Sequence, residues 1–359
     1  MDDFLIIGGG IAGISAASRL APLGTTTLLE AESALGYHAS GRSAAMFEET
    51  YGKASTIALN RASKAYHQDA HGGVLSPRGL MLVGSSENDG AAFEADLAVM
   101  QMEELTFAEA QALVPILRPG AVTRIGHRAD AWDIDTDLLI QNFARDARLA
   151  GAQISMAAQV DAISWHRDHW QVSAGGQDHK ARLLINAAGA WADEMATLAR
   201  VTPLGIQPYR RSMARLAAPG GHDTKSWPMM FGVGEGWYAK PDAGALLVSP
   251  ADEDPMAPQD AWADDLVLAE GLARYEAHVS VPVTRPIASW AGLRSFAPDR
   301  QLVIGFASDH ASFFWLAGQG GYGMQTSPAA SQLAADLIAG RAPDIDAATI
   351  AQLAPSRFA

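Results

Sequence analysis

Arg294 lies in Ser-Trp-Ala-Gly-Leu-Arg-Ser-Phe (residues 289–296), a small and otherwise apolar run. A guanidinium taken out of water is costly unless an anion faces it. No acid lies in the run or just before it, and the first one after it is Asp299, beyond Pro298. Its partner is either a distant carboxylate of the chain or something the chain binds. A second group able to do chemistry opens the sequence. Gly8-x-Gly10-x-x-Gly13 stands between the apolar run Phe4–Ile7 and the Ala-rich stretch from Ile11 to Gly24. In such a motif Gly8 allows a tight turn, Gly10 lets the backbone approach a pyrophosphate, and Gly13 lets helix pack close on strand. The helix start offers free N–H groups and a positive dipole end to phosphates. A second β-rich run ends in Glu30, about 20 residues on, where an acid binds ribose hydroxyls. Strand, glycine turn, helix, strand and acid together read as a dinucleotide site, for NAD or FAD.

These residues need elements to position them. Leu183–Trp191 reads as a second strand running into small residues. Phe313–Pro328 reads as a third strand, a Gly-Gln-Gly-Gly-Tyr-Gly loop and a helix start, with Ser327 as N-cap, Pro328 at the first helical position and Gly340 past the end. An NAD dehydrogenase does not need that third element. A flavin does, because its ring gains negative charge on reduction and a helix N-terminus near N1 and O2 stabilises that charge. Elsewhere, Thr106 and Glu109 have capping-box spacing, and a helix is expected from Asp135-Thr136 to Gly151. Gln153–Ala188 reads as three short strands. Strands dominate from about Pro208 to Phe296, with one helix in Trp262–Val279. The expected fold class is α/β: a Rossmann-like, glutathione-reductase-type FAD-binding domain with an inserted mixed β-sheet substrate domain. The expected boundaries are 1–75, 143–204 and 292–359 for the first, 76–142 and 205–291 for the second.

Composition narrows the function classes. The chain has 359 residues, 48% hydrophobic and 18% charged, as in a soluble globular enzyme. A net charge of −14 argues against nucleic acid or an anionic membrane as partner. The absence of cysteine excludes disulfides, thiolate metal sites, cysteine nucleophiles and a cysteine-linked flavin. The N-terminus lacks the basic region and apolar core of a signal peptide, and no apolar run approaches the roughly 18 residues of a membrane span. A cytoplasmic location is expected. His166, His169 and His179 lack metal-ligand spacing, so no metal site is expected.

The glycine motif, Gly-Tyr-His-Ala-Ser-Gly-Arg-Ser-Ala-Ala (36–45), Asn-Ala-Ala-Gly-Ala-Trp (186–191), Trp-Ala-Gly-Leu-Arg-Ser-Phe (290–296) and Gly-Gln-Gly-Gly-Tyr-Gly-Met-Gln-Thr-Ser (318–327) occur in one order over nearly the whole chain. Together they resemble the FAD-dependent D-amino-acid oxidase superfamily, and within it the D-arginine dehydrogenase-like group, with glycine and sarcosine oxidases as relatives. The resemblance implies FAD held without a covalent bond. Its contacts would be Gly8, Gly10, Ile11, Ala12, Gly13, Glu30, Ala31, Arg42, Ser43 and Ala44. Val160 would meet the adenine through its backbone. Further contacts would be Ala188, Gly189, Trp191, Gly292, Arg294, Gly320, Gly321, Tyr322, Gly323, Met324 and Gln325.

The resemblance also implies that Arg294 binds a substrate carboxylate through two prongs, a match of guanidinium to carboxylate that chemistry supports. Tyr238 would cap that carboxylate, Tyr51 would sit on a mobile loop, Arg211 would be a second active-site arginine, and the Gly321 carbonyl would face the amine. Two positions depart from the group. Arginine-using members carry a carboxylate where this chain has Leu80, and a histidine where it has Met46. An apolar pocket is expected, unless Glu48 or Glu49 replaces the missing acid. The expected reaction is hydride transfer from the CH–NH2 carbon of an α-amino acid, of D configuration, to flavin N5, giving an imino acid that hydrolyses to a 2-oxo acid and ammonia. Alternatives are an N-substituted glycine substrate, a 2-hydroxy acid, or a flavin-binding protein without turnover. The electron acceptor, whether oxygen, quinone or another carrier, is open. The apolar stretch Gly244–Pro250, where sarcosine oxidases carry an oxygen-activating lysine, leans toward a dehydrogenase.

Overall fold

The computed structural model describes residues 1–85 and 89–359. In its first large sheet, the strand Asp2–Ile7 lies parallel to Thr26–Leu29 on one side and to Gln177–Asn186 on the other. Gln177–Asn186 also pairs in parallel with Phe313–Ala317. Both faces are apolar and covered, as parallel strands require. Ile6, Leu28, Ile185 and Phe314 face the helices Ile11–Leu20, Thr136–Leu149 and Gly323–Ala339. Leu5, Leu29, Leu184, Phe313 and Trp315 face the other way, toward Trp170 and the helix Ala192–Ala199. Parallel alignment gathers the loops after three strands at one edge of the sheet: Gly8–Gly10, Ala187–Trp191 and Gly318–Tyr322. Ligands of open α/β sheets bind at that edge.

The second large sheet runs in the order Ala288–Phe296, Gln207–Ala217, Ala245–Ser249, Tyr238–Asp242, Met229–Gly232, Leu80–Gly84, Arg124–Arg128 and Glu103–Glu104. Its strands alternate. Met81 and Val83 point into one cluster with Tyr275 and Trp237, and Leu80 and Leu82 into another with Met213 and Tyr238. A small sheet of Met46–Phe47, Trp132–Ile134 and Leu75–Pro77 lies apart from both. The expected boundaries after 75, 142 and 291 each fall inside an element: Leu75–Pro77, Thr136–Leu149 and Ala288–Phe296.

The capping box at Thr106 and Glu109 forms, and the Asp135 side chain accepts from the Leu138 amide, as their spacing predicts. The last long helix begins at Gly323, ahead of the expected start at Ser327, and Pro328 lies within it. Proline has no N–H for the carbonyl four residues back. The Ser327 hydroxyl donates to that Met324 carbonyl instead, at 3.0 Å. Among the described residues, no helix is long and apolar enough to cross a membrane.

The helix Ala54–Asp69 has no counterpart in the sequence-based expectation. Its buried side is mostly polar: beside Leu59, the residues Thr56, Asn60, Ser63 and His67 all have 0% exposure. Burial pushes the His67 pKa down from 6.5 to about 4, against the smaller effect of its Nε2–H donating to the Gln325 carbonyl. The neutral ring is therefore the folded form. Stability is complete above pH 6.5 and falls as the pH drops toward 4, by about 3 kcal/mol in all. Melting temperature measured across that window should fall in the wild type and stay flatter in His67→Gln.

Candidate active site

A cavity of about 500 Å³ opens where the loop edge of the first sheet meets the second sheet. Gly8, Gly10, Ile11, Ala12, Glu30, Ala31, Arg42, Ser43, Ala44, Val160, Ala188, Gly189, Trp191, Gly292, Gly320, Gly323 and Met324 all line it. So do Arg294, Arg211, Tyr238 and Gly321. The glycine turn fits the approach of a pyrophosphate. Gly8 has φ +106°, and a Cβ there would sit 2.4 Å from the Ala187 carbonyl oxygen. A Cβ on Gly10 would meet only Ser40 Oγ, at 3.3 Å, so this face is open. The first helical turn that follows carries no acid to oppose a phosphate. Gly13 does not line the cavity. Its Cβ would fall 1.9 Å from the Gly8 carbonyl oxygen, so its place is helix-on-strand packing.

Glu30 is buried and has a second task. Its Oε2 accepts from the Gly9 amide at 2.6 Å and its Oε1 from the Glu32 amide at 2.8 Å, so the acid braces the turn it faces. Ser40, outside the expected contact set, accepts from the Ile11 amide at 2.9 Å and lines the cavity. Its signal lay in the 36–45 motif. Gln259 and Ala261 also line the cavity, from a segment with no motif. Arg42 reaches that segment: it pairs with Asp260 at 2.6 Å and donates to the carbonyls of Ala261 and Ala291.

Arg294 projects from the edge strand Ala288–Phe296. Among the described residues, no carboxylate lies within ion-pair distance of it. Arg211 comes from the neighbouring strand, where it stands opposite Gly292. It is mostly buried, its Nε has no partner, and its Nη2 is 3.4 Å from Glu253. Burial, and then the adjacent Arg294 cation, lowers its pKa. Tyr238 is 8% exposed. Two guanidinia and a phenol thus converge on one cavity wall, an arrangement suited to a carboxylate. Gly321 lies flat against Arg294, and a Cβ there would be 3.1 Å from the guanidinium carbon. Gly321→Ala should tilt that group and raise KM about tenfold, a cost near 1.4 kcal/mol, with FAD content unchanged. Steady-state kinetics and the flavin-to-protein ratio check both parts.

Tyr51 and Tyr322 line a second cavity of about 290 Å³, which shares Arg211, Arg294 and Gly321 with the first. The Tyr51 hydroxyl donates to Glu235 at 3.2 Å. Burial and the Glu235 carboxylate raise the pKa of both phenols, so they are hydrogen-bond donors at neutral pH. Met46 and Leu80 line neither cavity; they pack in the apolar cluster that includes Tyr238 and Met213. Glu48 and Glu49 line neither cavity as well. Glu48 pairs with Arg128 at 2.7 Å, and Glu49 with Lys64 at 2.8 Å. Gln325 is buried away from both, its Oε1 accepting from the Glu48 amide. His166 and His169 face each other across a hairpin turn.

The sequence matches the DAO family, described as FAD dependent oxidoreductase, over residues 3–337. It is 27% identical to N-methyl-L-tryptophan oxidase of Salmonella agona (strain SL483) over 236 residues, 61% of this chain and 60% of that one. It is 28% identical over 233 residues to L-2-hydroxyglutarate dehydrogenase of Escherichia coli O17:K52:H18 (strain UMN026 / ExPEC), covering 60% of this chain and 54% of the relative. The chain thus spans about 60% of the length of the curated relatives it matches. In structure it is similar to glycine oxidase from Geobacillus kaustophilus, with a TM-score of 0.84, 21% identity and coverage of 99% and 98% of the two chains. The open glycine turn, the acid that braces it and the family match over most of the sequence agree: the chain belongs to the DAO family of FAD-dependent oxidoreductases.

Proposed function

We propose that the enzyme oxidises the CH–NH2 group of an α-amino acid, of D configuration and with an apolar side chain, to an imino acid. Water then converts this to a 2-oxo acid and ammonia. The observation that carries the reading is Arg294, a guanidinium facing the cavity and paired with no acid among the described residues, beside Arg211 and Tyr238. Arg294 donates two coplanar bonds to the substrate carboxylate, and Tyr238 adds a third. This fixes the α-carbon, and the Gly321 carbonyl accepts from the amine. FAD, when bound, is the two-electron acceptor. The bonds that break are Cα–H and one N–H; two electrons and two protons leave as C=N forms.

The apolar preference rests on what surrounds the wall. Met213 and Tyr238 line it, Met46 and Leu80 pack in their cluster, and Glu48 and Glu49 are already paired. A cationic side chain there would be buried without a partner, at a cost of several kcal/mol. A 2-hydroxy acid would need a base for its hydroxyl proton. Among the described residues, His38 is the only histidine lining either cavity, and it is bonded to Glu32. The curated relatives support a second reading, an N-methyl amino acid.

Anaerobic bleaching of the flavin with a substrate panel tests these readings together. D-leucine, D-methionine and D-phenylalanine should reduce the enzyme at concentrations at least about tenfold below D-arginine and D-lysine, a difference of 1.4 kcal/mol or more. N-methyl amino acids reacting first would establish the second reading. D-arginine reacting first would overturn the apolar pocket.

A further inference from the structure

The helix Ala54–Asp69 touches neither cavity, yet a fully buried polar stripe runs along it: Thr56, Asn60, Ser63 and His67, at helical spacing. Polar groups that deep are retained at a cost unless they are bonded. Three of these four are bonded to backbone near the cavity. His67 Nε2–H donates to the Gln325 carbonyl at 2.9 Å. Ser63 Oγ accepts from the Ala329 amide at 3.1 Å and donates to the Thr326 carbonyl at 3.4 Å. Asn60 Nδ2 donates to the carbonyls of Glu48, Glu49 and Tyr51.

The targets of His67 and Ser63 lie in the first two turns of the helix Gly323–Ala339. That is where Pro328 removes a helical bond, and it is the end at which Gly323 and Met324 line the FAD cavity. A helix start missing a bond has more freedom to tilt, and its N–H groups act on a ligand only while they are aimed.

We propose that His67, seconded by Ser63, is a positioning residue for the cofactor. By holding the Gln325 carbonyl from outside the helix, it fixes the turn that presents Gly323 and Met324 to the flavin, and so sets the flavin midpoint potential. The donor is what matters, not the ring. Glutamine places an amide N–H close to the position of Nε2, asparagine is too short to reach, and phenylalanine fills the space without donating.

The test uses the FAD-loaded enzyme and its apoprotein, in His67→Phe, His67→Asn and His67→Gln. FAD affinity is read by fluorescence titration of the apoprotein, and the two-electron midpoint potential by dye equilibration. His67→Phe and His67→Asn should bind FAD about tenfold more weakly. Their potentials should fall by about 30 mV, a tenfold change in the oxidised-to-reduced ratio. His67→Gln should stay within threefold of wild type on both readings. If His67→Phe is too unstable to isolate, the contrast between Asn and Gln decides. Variants that lose thermal stability but keep the wild-type potential would overturn the proposal, as would a glutamine variant falling as far as the asparagine one. The inference rests on FAD occupying the cavity. Reconstitution of wild-type apoprotein checks that separately, since failure there would remove the cofactor assignment and not just the brace.

Discussion

Arg294→Lys should retain its full complement of FAD and lose most of its activity at limiting substrate. Lysine keeps the charge but presents a single point of contact where the guanidinium presents a planar fork. The geometry sharpens the expectation. Gly321 packs flat on the guanidinium, with a would-be Cβ only 3.1 Å from its central carbon, so the surrounding wall is shaped to a plane. Among the described residues no acid competes for Arg294, so on the proposed reading a bound carboxylate is its counter-ion and loses that pairing in the variant. Truncating one partner of a buried charge-assisted pair costs about 2–5 kcal/mol, or roughly 30- to 5000-fold in kcat/KM. Arg211, nearby and mostly buried, should keep the variant toward the smaller end. A lysine variant with near-normal kcat/KM on an α-carboxylate substrate would falsify the assignment of Arg294.

Two glycines of the opening turn should fail in different ways. A methyl on Gly13 would lie 1.9 Å from the Gly8 carbonyl oxygen and 3.1 Å from its carbon, both backbone atoms that cannot rotate aside. Gly13→Ala must push the helix Ile11–Leu20 off the strand, at about 1–3 kcal/mol of overpacking. It should lower the melting temperature of the apoprotein and weaken FAD by about 5- to 150-fold. A methyl on Gly10 meets only Ser40 Oγ at 3.3 Å. Gly10→Ala should therefore melt like wild type as apoprotein, yet take up little FAD, because the methyl stands where the pyrophosphate comes. Apoprotein melting and FAD titration on the pair separate the roles. If Gly10→Ala binds FAD normally, the glycine turn is not the phosphate cradle.

The sequence was most legible where one residue type had one physical reason to be present. The glycine turn, the strand-rich run from about Pro208 to Phe296, and the caps at Thr106 and Asp135 follow local rules, each satisfied within a few residues. The helix Ala54–Asp69 escaped because its buried side, Leu59 apart, is Ser, Thr, Asn and His. Apolar periodicity is blind to a face whose burial depends on hydrogen bonds to distant backbone. The start of the last helix was misplaced for a similar reason. Ser-Pro is a strong local signal for a first turn, and only the contacts of Ser327, Ser63 and His67 let the helix begin one turn earlier. Arg42 could be placed in a flavin loop by its motif, but no spacing rule links it to Asp260, far along the chain. The positions of Met46 and Leu80 show the limit of reading a pocket wall one residue at a time. An apolar residue behind Tyr238 shapes the wall without lining it.

The cavity is walled by segments from near both ends of the chain and from its middle: the turn at Gly8–Ala12, the loop at Ala188–Trp191 and the loop at Gly320–Met324. One dinucleotide lying across them ties together stretches that the backbone itself connects only through long detours. Its effect on the lifetime of the protein is that of a reversible staple, with a strength that grows with the logarithm of free FAD. A cell short of flavin would then hold less of the protein itself, because chains left unstapled open more often and are cleared by proteases sooner.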